Sequence, residues 1–151
     1  MNAAPKLFLS ATQKRLVRES FESVQEYETS VVVLFYGRLF EIAPETRPLF
    51  KIDIREQSRK LMDTLRTTVD ALDRWEEVLP ALEELGRRHV SFGVQPYQYE
   101  KLRMALLWAL GQALGFEFDR ETRNAWDHLL SAISSVMLEA AVQFLQTSGG
   151  S

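Results

Sequence analysis

Leu82-Glu83-Glu84-Leu85-Gly86-Arg87-Arg88-His89-Val90-Ser91-Phe92-Gly93-Val94 carries one of the two histidines in the chain, and the way it repeats decides the fold. Read as a helix, it places Leu82, Leu85 and His89 at i, i+3 and i+7 on one stripe. An imidazole is therefore expected on a face that should be buried. Its ring nitrogens then need partners, and a backbone carbonyl, a carboxylate or a metal would each serve. Taken alone, such a histidine is more often a satisfied core residue than a ligand. Glu83 with Arg87 and Glu84 with Arg88, at i and i+4, are expected to pair on the solvated face.

Outward from this segment the helical period continues. Ser10-Ala11-Thr12-Gln13 fits a capping box opening a first helix with Val17, Phe21 and Val24 inward. A second helix is expected from Glu28 to Ala43. Its β-branched run Val31-Val32-Val33 could suggest a strand, but Phe35, Leu39 and Ile42 keep helical spacing. Pro44 and Pro48 permit only short turns. Asp53 opens a third helix with Gln57, Leu61, Leu65, Thr68 and Leu72 on one side. Asp73-Arg74-Trp75-Glu76 restarts the chain, and the His89 helix is expected to follow Pro80 and end near Gly93. Pro96 suits the first turn of the next helix, lined by Tyr99, Leu102, Leu106, Ala109 and Ala113 and stopped by Gly115. Asp119 caps a last helix with Ala125, Leu129, Ala132, Val136, Ala140 and Phe144 inward. The fold class is all-α, with seven to eight helices.

Composition limits the function. The 151 residues suit one domain, read as an N-terminal extension (1–9), a helical domain (10–146) and a polar, Gly-rich tail (147–151). A net charge of −3, with basic residues scattered among acidic ones, argues against nucleic acid. The absence of cysteine excludes disulfides, zinc–thiolate sites and thiol catalysis, and agrees with a reducing compartment. Met1 to Leu9 lacks the pattern of a signal peptide. Val31 to Tyr36, the most apolar stretch on this reading, is too short to span a bilayer. A cytoplasmic protein with no membrane span is expected.

An all-α domain of this size with one buried histidine suggests a cofactor held between helices. Two groups of residues sharpen that. One is Leu85-Gly86-Arg87-Arg88-His89 with Phe92-Gly93-Val94. The other is Leu34-Phe35-Tyr36, Leu39-Phe40, Pro44-Glu45, Arg47-Pro48-Leu49-Phe50 and Gln57-Ser58-Arg59-Lys60-Leu61-Met62. In this order they resemble the globin family from about Ser10 to Ala140. The likeness is to bacterial single-domain globins related to the globin part of flavohaemoglobins, and to neuroglobin.

The resemblance implies a globin fold around haem b, with His89 as proximal iron ligand and its other N–H held by a carbonyl of the preceding turn. Gln57 matches the distal position and Tyr36 the distal tyrosine; both could donate to bound oxygen. Phe50 matches the phenylalanine that packs on the porphyrin, Leu61 a residue controlling steric access, and Val94 and Leu102 proximal wall positions. Lys60 and Arg88 could reach the propionates or could simply be solvated. His128 matches no ligand position and reads as surface or partly buried structure.

Two departures matter. Gln57 replaces the second iron-binding histidine of neuroglobin, so bis-histidyl coordination is not expected. Flavohaemoglobin-type globins also link the proximal histidine to a tyrosine and a glutamate. Tyr99 matches the tyrosine, but Ala140 or Ala141 falls at the glutamate position, with Glu139 the nearest carboxylate. The functions implied are reversible binding of O2, CO and NO; nitric oxide dioxygenation fed by a separate reductase; or gas sensing. The 151 residues contain no flavin or nicotinamide module and no Gly-rich phosphate loop.

Overall fold

The computed structural model describes residues 7–50 and 53–149. Among them are six α-helices and two 3-10 segments, and no strand. Helix α1, Ala11–Glu26, begins at the expected reciprocal box: Gln13 N–H donates to Ser10 Oγ and Ser10 N–H to Gln13 Oε1, each at 3.0 Å. Helix α2, Glu28–Ile42, absorbs the β-branched run because Val31, Val32, Phe35 and Leu39 are buried on one side. A 3-10 segment, Pro44–Leu49, follows, with the Thr46 hydroxyl donating to the Ala43 carbonyl at 2.7 Å. Helix α3, Ile54–Asp70, is capped by Asp53, whose carboxylate accepts from Arg55 N–H at 3.0 Å.

Helix α4, Trp75–Ser91, and helix α5, Gln98–Leu114, are joined by the turn that contains Gly93. Gly115, at φ +58°, ends α5 in a conformation that suits glycine and leads into the second 3-10 segment, Gly115–Glu117. Helix α6, Arg120–Gly149, starts where Asp119 accepts from Thr122 N–H at 2.9 Å. The principal packings are α4 on α6 and α2 on α5, with α1 also crossing α6. Fully buried Trp126 of α6 donates to Ser20 of α1 at 2.8 Å, so the core closes without stranding its indole N–H. Helices α3 and α4 barely touch, leaving a space between them.

Several expectations change. The His89 helix starts at Trp75, not after Pro80, so Pro80 lies inside α4. It falls in the second turn, where the bond it cannot donate would reach the solvent-exposed Glu76. Pro96 lies two residues before α5, in a turn closed by Gln98 N–H on the Gln95 carbonyl at 3.0 Å. Phe144 is 36% exposed, because the last turns of α6 extend past the core. Glu84 takes both Arg87 (3.0 Å) and Arg88 (3.7 Å), leaving Glu83 out of the pairing.

Leu7 and Leu9 of the expected extension pack on the core, and the expected tail is helical through Gly149; residues 1–6 and 150–151 lie outside the described ones. Besides the short run Val31 to Tyr36, one stretch among the described residues, Arg120–Thr147, is long and apolar enough by length and composition to cross a membrane. In the structure its Trp126, Leu129, Ile133 and Val136 are core residues of the helical domain.

Candidate functional site

The space between α3 and α4 is a cavity of about 270 Å³. A cleft of about 320 Å³ adjoins it, and the two share Thr64, Leu85 and Arg88 as walls. All ten residues singled out from the sequence, Tyr36, Phe50, Gln57, Lys60, Leu61, Arg88, His89, Val94, Tyr99 and Leu102, line the cavity between α3 and α4. They come from α2, the Pro44–Leu49 turn and its neighbour, α3, α4 and α5.

His89 is held by its ring and by its backbone. Its Nδ1 lies 2.7 Å from the Leu85 carbonyl. A carbonyl can only accept, so Nδ1 carries the proton and Nε2 keeps a lone pair on a residue that lines the cavity. Burial lowers the imidazole pKa below its ordinary value, partly offset by the Leu85 carbonyl, so the ring is neutral near pH 7. The backbone is fixed by the end of α4. Val94 N–H donates to the His89 carbonyl at 2.9 Å and Gly93 N–H to the Val90 carbonyl at 3.0 Å, a Schellman closure. Gly93 sits at φ +89°, which a side chain would strain.

Tyr36 and Gln57 line the same cavity. Tyr36 is only 6% exposed, in an aromatic group with Phe35 (centroids 4.9 Å) and Phe50 (5.2 Å), both edge-on. Phe50 also meets Phe40 edge-on at 5.6 Å. Burial pushes the Tyr36 phenol up to about 12, with the Ser58 hydroxyl pulling the other way, so it is a protonated donor throughout the physiological range. Gln57 is half-buried, one helical turn before Leu61 on the same face of α3.

The arrangement is a largely apolar cavity lined by an imidazole with one free nitrogen and by two neutral donors. Its chemistry fits a flat metal macrocycle that takes one protein ligand and leaves a position for a small molecule. The sequence profile described as Globin matches residues 33–137, which is most of the chain and includes every one of these site residues. The chain belongs to the globin family.

Relatives agree. Neuroglobin of Chaenocephalus aceratus is 30% identical over 147 residues, with 85% of this chain and 90% of that protein covered. Neuroglobin of Tetraodon nigroviridis is 28% identical over 143 residues at the same coverage. A flavohemoprotein of Halalkalibacterium halodurans is 25% identical over 134 residues, taking in 87% of this chain but 33% of that longer protein. Among solved structures, an engineered carbene transferase, a nitric oxide dioxygenase candidate from Rhodothermus marinus, superposes with a TM-score of 0.84. It shares 24% identity and covers 93% of this chain and 99% of its own, a likeness of fold.

In this globin the tyrosine–glutamate link to His89, which the alanines at the glutamate position put in question, is not formed among the described residues. Tyr99 is 5% exposed and its ring centroid lies 6.2 Å from that of His89, yet its buried hydroxyl has no hydrogen-bond partner among the described residues. Glu139 is exposed, while Ala140 and Ala141 are buried where a carboxylate would be needed. Burial alone raises the Tyr99 phenol to about 12. Lys60 and Arg88 reach the cavity rim but are paired with Glu56 (3.9 Å) and Glu84 (3.7 Å) on exposed surface. His128 is exposed and bonded to Gln13 at 3.1 Å.

Sequence reading missed other wall residues: Thr46, Thr64 and Gln98, and from α6 Leu130, Ile133, Ser134 and Met137. The α6 residues repeat at i, i+3, i+4 and i+7, a stripe that was legible as helical but not assignable to the cavity.

Proposed function

We propose that this globin holds haem b through His89 and binds O2, CO and NO reversibly on the opposite side. The observation that carries the reading is the bond from His89 Nδ1 to Leu85, which leaves Nε2 available on a residue that lines one cavity with Tyr36 and Gln57. When bound, the haem supplies ferrous iron with one position for a diatomic gas. The chain's own part is to present a neutral imidazole in a fixed tautomer, exclude bulk water with the Phe40–Phe50–Tyr36 aromatic group, and offer two donors to a ligand that gathers negative charge. Phe50 and Leu61 provide apolar packing and steric control. Val94 and Leu102 wall the proximal side, and Lys60 and Arg88 are within the rim where acidic haem substituents would emerge.

The test is the visible absorption of purified protein, alone and with dithionite and CO. A haem protein gives a Soret band that shifts with CO. His89→Ala should lose stable haem retention; a spectrum identical to that of the unmutated protein refutes the assignment.

A second reading, nitric oxide dioxygenation with electrons from a separate reductase, is favoured by the permanently protonated Tyr36, which stabilises an oxygenated form. Mixing the oxygenated protein with NO and a reductase distinguishes the two. Repeated turnover to nitrate supports the enzyme, and a single stoichiometric oxidation supports the carrier.

A further inference from the structure

The peptide joining Leu85 to Gly86 touches two things at once. A Cβ placed on Gly86 would lie 2.2 Å from the Met137 carbonyl oxygen and 2.8 Å from that residue's carbonyl carbon and Cα. No side chain fits there, and the obstructing atoms are backbone of the 30-residue α6, which cannot swing aside as a side chain could. The carbonyl on the other side of the same peptide, that of Leu85, receives the His89 N–H at 2.7 Å. The other helix glycines differ. A Cβ on Gly37 meets nothing within 4 Å, and one on Gly111 makes only ordinary contact with Phe118 at 3.5 Å.

The geometry points to Gly86 as a positioning residue: by letting the backbones of α4 and α6 touch, it sets the depth and tilt at which His89 enters the cavity. The inference rests on His89 being the iron ligand. The coupling is mechanical. Helix α6 bears on the Cα of Gly86, the adjoining carbonyl orients the imidazole, and the Schellman closure at Gly93 holds the His89 backbone from the far end. Moving α4 off α6 shifts the first anchor and not the last, so the ring must tilt.

The experiment uses the haem-bound protein, read by the iron–histidine stretching band of the ferrous form and by CO association after photolysis. Gly86→Ala should shift the band and change the CO rate on the order of tenfold, short of the ~100-fold that a 1 Å misplacement can cost. Gly37→Ala should leave both unchanged. Val136→Ala, buried on α6 beside Met137 but outside the cavity wall, lets α6 relax without adding an atom to the contact and should shift the band in a smaller degree. Val24→Ala, an equal deletion in α1, should not.

A band unmoved in both Gly86→Ala and Val136→Ala overturns the inference, as does an equal shift in Val24→Ala. If Gly86→Ala fails to fold, Val136→Ala against Val24→Ala decides. Absence of the band from the unmutated protein defeats the ligand assignment itself, and is told apart because no variant is then needed to see it.

Discussion

The two walls of the cavity hold one buried tyrosine each, and the two are used differently. Tyr36 shares the cavity lining with Gln57, with Ser58 close enough to influence its hydroxyl. Tyr99 lies beside His89 with a hydroxyl that has no hydrogen-bond partner among the described residues. Both phenols are raised to about 12 by burial, so ionisation does not separate them. What separates them is whether a polar group has work to do in the cavity. Tyr36 and Gln57 bring side-chain donors to the cavity lining, whereas His89 relies on backbone: a carbonyl for the imidazole, a glycine against α6, and a Schellman turn.

The largest test of this contrast removes the distal donors. Hydrogen bonds to a charged group are worth about 1.5–3 kcal/mol each. Tyr36→Phe with Gln57→Leu should therefore speed oxygen dissociation by roughly two to four powers of ten, measured by stopped flow. An unchanged rate would mean that neither side chain addresses the ligand.

Alkaline pH probes both walls together. Each tyrosine has a folded pKa of about 12 against 10.0 for the free group, so the unfolded chain releases its protons first. The stability they contribute is complete below pH 10 and is lost as pH rises to 12, at about 1.4 kcal/mol per pH unit per group. Denaturant titrations of the protein across that range should show the loss reduced by about half in either Tyr→Phe variant.

Tyr99→Phe separates the walls. An unsatisfied buried hydroxyl costs about 1–3 kcal/mol, so its removal should raise the melting temperature while leaving oxygen dissociation unaltered. A lowered melting temperature would show that the hydroxyl has a partner. The smallest effect belongs to the rim. Lys60→Ala and Arg88→Ala each break an exposed pair worth about 0–1 kcal/mol, and haem dissociation should change by no more than several-fold.

Much of this was legible from residue order. The Ser10 box, the Asp53 and Asp119 caps, the breaks at Pro44 and Gly115 and the His89 stripe are local features. They depend on residues within one or two helical turns of each other, where sequence spacing is spatial spacing. The matched order of Tyr36, Phe50, Gln57 and His89 carried the family, and the cavity collects all four.

Elsewhere local rules were outweighed. Pro80 reads as a boundary, yet burial of Trp75, Val78, Leu79 and Leu82 carries α4 through it. Phe144 keeps the inward period but has nothing left to pack against. Glu84 draws in both arginines because i+3 and i+4 are equally near on a helix, and sequence spacing does not choose between them.

By itself, then, the order of residues determined which segments are helical, where they are capped, and which imidazole lies on an apolar face, since all of these follow from contacts within a few residues. Only the tertiary structure decided that Gly86 must have no side chain, that the Tyr99 hydroxyl has no partner among the described residues, and that α6 supplies a wall of the cavity. Those facts depend on distances between residues far apart along the chain, such as Gly86 and Met137. Such distances exist only after the helices have packed, because close packing rather than propensity sets the separation of two backbones.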